Sequence, residues 1–349
     1  MRQTGPLVAL LLAAATTALT AEASNPFRFL APDVVIDQTD LARLRRGEPV
    51  IKLSNGDNDH LGVFAAIRIE ASGDRLLDWA SAIEAMLKGR YVPEIGRFSS
   101  PARLEDLAGL TFDDSDLDEI GDCRPGDCGL KLSDGDIARL RGTRAVSNWE
   151  NQAREELRRI VLERARAYQS GGDALTPPYH DDDEPVSPAL SFGRLLNRLQ
   201  LLPPELTCVA TFVRDYPRRA DSHVVDSFLY WSKESLGSKP IIAMTHLTLA
   251  RFPEPWLPES VVIGRQVFAS HYKNGGLTVM AIARLREARY LVYLQHAELD
   301  IFGGFWHEMV RKVLERRITR EAPRVLIDFR DRLEAGGPGM TDRPATIVR

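Results

Sequence analysis

The amino-acid sequence predicts an α+β fold: an antiparallel β-sheet wraps around a long C-terminal helix, and a helical insertion interrupts the sheet. Three observations carry this prediction. The last third of the chain contains five β-like runs separated by short turn signals, which is typical of an antiparallel meander. Apolar residues then recur at helical spacing from Phe305 to Ile318. A stretch of helical periodicity, residues 133–219, separates these strands from the earlier ones.

The first part of the chain reads as alternating helices and short strands. The spacing of apolar side chains, every second residue in a strand or every third to fourth in a helix, indicates the type of each element. Turn residues indicate where each element ends. In order, we expect a helix over 32–47, a strand over Val63–Ile69, a helix over Asp74–Lys88, and strands over Tyr91–Phe98, Leu110–Ile120 and Gly129–Leu132. We interpret the acidic run inside the second of these three strands as a solvated face or turn, since it lacks the glycine and glutamate of a calcium loop.

The second part begins with helices and ends with strands and a last helix. Apolar residues at helical spacing predict long helices over 149–168 and 190–214. The second of these is interrupted at Pro203-Pro204. We expect Pro323 to break or kink the last helix for the same reason. The five expected strands are Val224–Lys233, Pro240–Arg251, Val261–Tyr272, Leu277–Arg286 and Tyr290–Leu299.

The N-terminus has the pattern of a secretory signal peptide. Arg2 precedes a short apolar run, Leu7–Ala15, and small residues end in Ala21-Glu22-Ala23. The run is too short to cross a bilayer, which needs about 20 apolar residues. We therefore expect cleavage after Ala23, a periplasmic or secreted protein, and no integral membrane segment in the mature chain.

The charge balance argues against a nucleic-acid partner. The chain has 45 basic and 49 acidic residues, whereas nucleic-acid binding usually needs a marked basic face. No glycine-rich phosphate-binding loop occurs, and we expect no cofactor.

Three cysteines allow one disulfide and one free thiol. Cys123 and Cys128 flank Pro125-Gly126, a pair suited to a tight turn that brings the flanking thiols together. In an exported protein we expect a Cys123–Cys128 disulfide, with a metal site or a redox-active pair as alternatives. Cys208 lies among apolar residues and is predicted to be a buried free thiol.

These predictions divide the chain into five segments. They are the signal peptide 1–23, an N-terminal part of the sheet domain over 24–132, the helical insertion 133–219, a C-terminal part over 220–335, and a disordered tail over 336–349.

The order strand, helix, antiparallel strands and C-terminal helix resembles the helix-grip fold of the START-like and polyketide-cyclase-like superfamily. Val63–Ile69 leading into Gly73–Trp79, and the helix after Gly303, carry this resemblance. It implies a ligand cavity between the sheet and the last helix. The chain also resembles an uncharacterised family of exported bacterial proteins through Cys123–Leu132, Tyr230–Glu234, Ala269–Tyr272 and Tyr290–Tyr293. That second resemblance implies no activity.

Aromatic and polar residues on the expected strands and last helix are candidates for the wall of this cavity. Strand alternation places Trp231 and Lys233 on one face and Tyr230 on the other. The candidate ligand-binding residues are Trp231, Lys233, His246, His271, Phe305 and Trp306. The alternative for each aromatic residue is that it fills the core.

Catalytic and metal chemistry has less support. His246, His271 and His296 fall on different strands, and three imidazoles can hold a catalytic zinc ion if the strands bring them together. No nucleophile motif or metalloprotease motif occurs, and we name no catalytic residue and no metal ligand. The sequence therefore predicts an exported protein that binds a hydrophobic small molecule or lipid without catalysis. The alternatives are an enzyme that uses a pocket histidine as general acid or base, and an interaction module with a filled core.

Overall fold

The computed structural model describes residue 27 and residues 34–54, 59–199, 202–218, 221–235, 239–285, 287–302 and 307–338. The predicted signal peptide, 1–23, and most of the predicted tail, 336–349, lie outside the described residues.

Eight antiparallel strands form one open sheet in the order β1-β2-β8-β7-β6-β5-β4-β3. The strands are β1 Val50–Ser54, β2 His60–Ile69, β3 Glu94–Arg97, β4 Val224–Glu234, β5 Ile241–Arg251, β6 Ser260–Ala269, β7 Lys273–Leu285 and β8 Ala288–Leu299. The five strands predicted for the last third are all present and pair in chain order as a meander. The fold is α+β with an antiparallel sheet and a C-terminal helix, as predicted.

Helices cover both faces of this sheet. They are α1 Gln38–Arg45, α2 Gly73–Ser81, α3 Ile83–Leu87, α4 Asp114–Asp122, α5 Asp134–Thr143, α6 Trp149–Gly171, α7 Pro188–Asn197, α8 Pro204–Asp215 and α9 His307–Ala335. Helices α2, α3 and α9 pack on one face. Helices α1 and α4 to α8 pack on the other, and α4 to α8 all lie between β3 and β4 in the chain.

Strand alternation assigns each sheet residue to one of the two faces. In β4, Tyr230 joins the cluster beneath α2 and α9, whereas Leu229 and Trp231 join the cluster beneath α4 to α6. The two faces of the sheet therefore pack in separate layers, and a strand side chain that packs in one layer cannot contact residues of the other.

The predicted strand over Leu110–Ile120 is wrong, because its acidic run begins helix α4. The backbone N–H of Asp113 donates to Asp116 Oδ2 at 3.0 Å, which caps the helix start, and negative charge is favourable there. The predicted strand over Gly129–Leu132 is wrong as well. These residues form a loop in which buried Lys131 Nζ donates to Asp181 Oδ2 and Asn274 Oδ1, each at 2.7 Å.

The predicted Cys123–Cys128 disulfide is confirmed, with 4.2 Å between the two Cα atoms. Gly126 has a φ of 83°, the positive value expected in this turn.

The prediction of a buried Cys208 is wrong, since this thiol is exposed. Neighbours on α8 such as Leu206 and Val209 face the core and leave Cys208 on the outer side.

We predicted that Pro323 breaks or kinks the last helix; helix α9 continues through Pro323, so the break is wrong. Leu326 and Leu333, beyond the proline, are buried against the sheet. Just past the helix, the carbonyl of Gly336 accepts a hydrogen bond from Trp79 Nε1 at 2.8 Å. This packing offsets the loss of the hydrogen bond that a proline cannot donate.

Within the described part of the chain, none of the helices combines the length and the apolar character needed to cross a bilayer.

The disulfide leads to a stability prediction. We expect the double variant Cys123→Ala/Cys128→Ala to lose about 2 kcal/mol of unfolding free energy, because a link this short restricts the unfolded chain only modestly. Denaturant unfolding of both proteins measures the difference. Cys208→Ala is the matched control and should unfold as the wild type does. A double variant with wild-type stability would contradict the prediction.

Candidate functional site

A cavity of about 350 Å³ lies between the sheet and the middle of α9, residues 314–325. This volume is at the lower end of the range of small-molecule sites, about 300–1,000 Å³. The lining residues are Leu61, Val63, Tyr91, Ile241, Tyr272, Lys273, Tyr293, Gln295, Ala297, Leu299, Ile301, Leu314, Arg317, Ile318, Glu321, Ala322 and Val325.

The cavity exists because the first half of α9 contacts the sheet along a narrow line. Leu314 and Ile318 pack on a small apolar cluster that includes Leu61 and Val63 of β2 and Ala297 of β8. No residue between 308 and 325 is fully buried, in contrast to Leu326 and Leu333 further along. The helix therefore stands clear of the strands beyond β8 and leaves a space above them that is partly open to solvent.

The walls of the cavity are largely apolar. Alternation along β2 places Leu61 and Val63 on the cavity face, and β8 does the same with Ala297 and Leu299. Ala322 contributes a small side chain from the helix. A surface of this kind gains free energy when an apolar ligand displaces water from it.

One polar group of residues links the helix to the segment before β3. The Tyr91 hydroxyl donates to Glu321 Oε2 at 2.9 Å, and Arg317 Nε lies 3.5 Å from the same carboxylate. The Tyr91 hydrogen bond holds the pKa of Glu321 below its usual value. Glu321 is therefore an anion at neutral pH, with a cation and a hydroxyl beside it.

A second polar group lies on the sheet. Lys273 Nζ is 2.5 Å from Glu234 Oε2, and the Tyr293 hydroxyl donates to Gln295 Oε1 at 2.8 Å. Burial, followed by the negative charge of Glu234, raises the pKa of Tyr293. Tyr293 therefore keeps its proton and remains a hydrogen-bonding hydroxyl.

Tyr272 occupies a strained backbone position at the cavity. It has a φ of 61° in the short connection from β6 to β7. The left-handed region costs a residue with a side chain about 1–2 kcal/mol, and such strain is common at functional sites. Its neighbour His271 lies on the opposite face of the sheet, so this turn supplies one aromatic ring to each layer.

Trp231 and Lys233, both predicted to bind ligand, share a face as expected, but it is the face opposite the cavity. Trp231 Nε1 donates to the carbonyl of Asp106 at 2.8 Å. Lys233 Nζ donates to Thr111 Oγ1 at 2.9 Å and to Asp113 Oδ1 at 2.7 Å. Both side chains fix the segment between β3 and α4 onto the sheet.

His246 is also on the far face and is fully buried. Its Nδ1 lies 2.9 Å from the Tyr168 hydroxyl and its Nε2 lies 2.6 Å from Ser227 Oγ. Burial, with the positive charge of Arg265 in addition, lowers the pKa of His246 to about 3. The ring is therefore neutral at physiological pH and links helix α6 to β4.

His271 is buried on that face too. Its Nδ1 is 2.8 Å from the carbonyl oxygen of Gly129, and its Nε2 is 3.1 Å from Asp116 Oδ1. The ring thus connects the loop after the disulfide to α4. Phe305 and Trp306, the other two predicted ligand-binding residues, lie outside the described residues.

The three histidines considered for a zinc site do not meet. The partner of His296 Nδ1 is His60 Nε2 at 2.8 Å, whereas His246 and His271 have the separate partners given above. Among the described residues, no cluster of three or more potential metal-binding side chains occurs.

The residues that form the cavity were not singled out in the sequence analysis. Their signal was the i, i+4 spacing of Leu314, Ile318 and Ala322 beside that of Arg317 and Glu321 on the last helix. On the sheet side, the alternation of inward and outward side chains along β2 indicated that Leu61 and Val63 share one face. Neither pattern distinguishes a cavity wall from a filled core.

Comparisons with known proteins found no matching family model, no similar curated protein and no similar solved structure.

The buried His246 predicts an acid-sensitive contribution to stability. Its folded pKa of about 3 lies below the unfolded value of about 6.5, so the unfolded chain binds the proton more readily. The contribution is complete above about pH 6.5 and is lost as the pH falls towards 3, by up to about 1.4 kcal/mol per pH unit. Unfolding free energies of wild type and His246→Gln, measured between pH 7 and pH 4, test this. We expect the wild type to lose stability faster, and parallel curves would contradict the assignment.

Proposed function

We propose that this chain is an exported protein that binds a hydrophobic small molecule or lipid in the cavity beneath α9, without catalysis. The single observation that carries the proposal is the cavity itself, with apolar walls and polar residues confined to a few positions. Small-molecule sites commonly have this composition, in which apolar surface supplies affinity and a few polar groups supply orientation.

Apolar burial is the source of affinity in this proposal. Each 100 Å² of ligand surface removed from water contributes about 2.5 kcal/mol. The walls formed by Leu61, Val63, Leu299 and Ile318 provide such surface on both the sheet side and the helix side. Ordering of the ligand offsets part of this gain.

The strand order supports a helix-grip arrangement of the START-like kind. The β1–β2 hairpin joins β8, the last strand of the meander, and β3 joins β4, its first strand. The C-terminal helix then follows β8 and covers one face. In the proposal, the sheet holds this helix and the ligand occupies the space between them.

The disulfide supports export. Disulfides persist in the periplasm and outside the cell and are rare in the reducing cytosol. The Cys123–Cys128 bond agrees with the signal-peptide pattern of residues 1–23.

The enzyme alternative relied on a histidine in the pocket. Histidine is absent from the described residues that line the cavity, and His246 and His271 hold helices on the other face. Binding is therefore the function that the cavity favours.

The most direct experiment is to isolate the exported protein under native conditions and extract it with organic solvent. Mass spectrometry of the extract should find an apolar compound in near-stoichiometric amount. A protein carrying an Ala322→Phe substitution, prepared in the same way, should lack it.

A cavity-filling substitution gives a quantitative prediction. Ala322→Phe places an aromatic ring in the cavity and should weaken binding of the apolar probe N-phenyl-1-naphthylamine by at least about tenfold, or about 1.4 kcal/mol. Fluorescence titration of the probe measures the affinity.

Val313→Phe is the matched control, since Val313 lies on the outer side of the same helix and is 60% exposed. It should bind the probe as the wild type does. Equal affinity in both variants, with wild-type unfolding curves, would locate the probe elsewhere and refute the proposed site.

A further inference from the structure

We infer that the ligand is an uncharged amphiphile, with an apolar body and a hydroxyl or carbonyl group, and that acids and amines are discriminated against. This inference rests on the proposed function, since it concerns the same cavity. It follows from how the charged and polar lining residues are already paired.

The first charged lining residue is Lys273 of β7. Its Nζ lies 2.5 Å from Glu234 Oε2, and the two side chains are 12% and 17% exposed. A pair this close and this shielded has little positive charge left to attract an anionic headgroup.

The other two charged residues among the described lining are Arg317 and Glu321, and they pair with each other. Glu321 also accepts hydrogen bonds from Tyr91 and from Arg320, so its negative charge is compensated from three directions. Lys273, Arg317 and Glu321 therefore each have an oppositely charged partner already in place, and only the Lys273–Glu234 pair is shielded from solvent.

The remaining polar lining groups are neutral. They are the hydroxyls of Tyr91, Tyr272 and Tyr293 and the amide of Gln295. Tyr293 donates to Gln295 Oε1, and the Gln295 amide retains N–H groups that can donate to an oxygen of the ligand. These groups match a hydroxyl or carbonyl on the ligand.

A charged headgroup meets its main penalty at the Lys273–Glu234 pair, because the Arg317–Glu321 side chains are 41% and 33% exposed and stay solvated when they separate. A carboxylate has to compete with Glu234 for Lys273 or with Glu321 for Arg317, and success leaves a protein carboxylate without its partner. An ammonium group likewise has to displace a cation. Breaking a shielded ion pair is costly because the remaining charge is poorly solvated.

A series of ligands that differ only in the headgroup tests the inference. Dodecanol, below its solubility limit, and dodecanoate and dodecylamine, each below its micelle concentration, are used at pH 7 to displace N-phenyl-1-naphthylamine from the wild-type protein. We expect dodecanol to bind at least about tenfold more tightly than either charged compound, a difference of about one decade in Kd.

Removal of one partner of the first pair should change the preference in a defined direction. Glu234→Gln keeps the shape of the side chain but leaves Lys273 uncompensated, so dodecanoate should gain at least about tenfold in affinity relative to dodecanol. Glu298→Gln is the matched control, because Glu298 pairs with Arg194 at 2.6 Å on the opposite face of the sheet. Its headgroup preference should equal that of the wild type.

The outcomes separate the inference from the proposed function. Tighter binding of dodecanoate or dodecylamine by the wild type, or an unchanged headgroup preference in a folded Glu234→Gln variant, overturns the inference and leaves the binding function in place. Failure of all three compounds to displace the probe, together with failure of the probe to bind, overturns both.

Discussion

The rest of this structure depends on the fact that helices cover both faces of the sheet. Successive residues of a strand point to opposite faces, and each face here has its own helical cover. The face beneath α4 to α8 takes up Trp231, Lys233, His246 and His271. Any site beneath α9 must be built from the alternate positions, and this is why the polar residues that stand out in the sequence are not those of the cavity.

The cavity results from unequal packing along α9. Its second half is anchored by Leu326 and Leu333, whereas its first half packs on the edge of the sheet formed by β1, β2 and β8. Space remains over the start of β5 and β7, where Ile241 and Lys273 line it. The same region holds Tyr272 in a strained conformation, so a local cost in stability coincides with the candidate site.

The sequence was sufficient for the antiparallel meander, the position of the last helix and the disulfide, because each depends on local patterns. The acidic run at Asp113–Glu119 was misinterpreted because a capping arrangement and a solvated turn use the same residues. The prediction that Cys208 is buried was wrong because it rested on the apolar residues beside it in the sequence. Those neighbours face the core, whereas Cys208 lies on the solvent side of α8. The cavity required tertiary information: the distance between α9 and the sheet depends on packing far along the chain.

The exposed thiol of Cys208 has a practical consequence. With Cys123 and Cys128 joined, a maleimide reagent applied to the folded protein reacts at a single position on α8. That helix packs on the face of the sheet away from α9. A spectroscopic label attached there leaves the cavity beneath α9 unobstructed and requires no engineered cysteine.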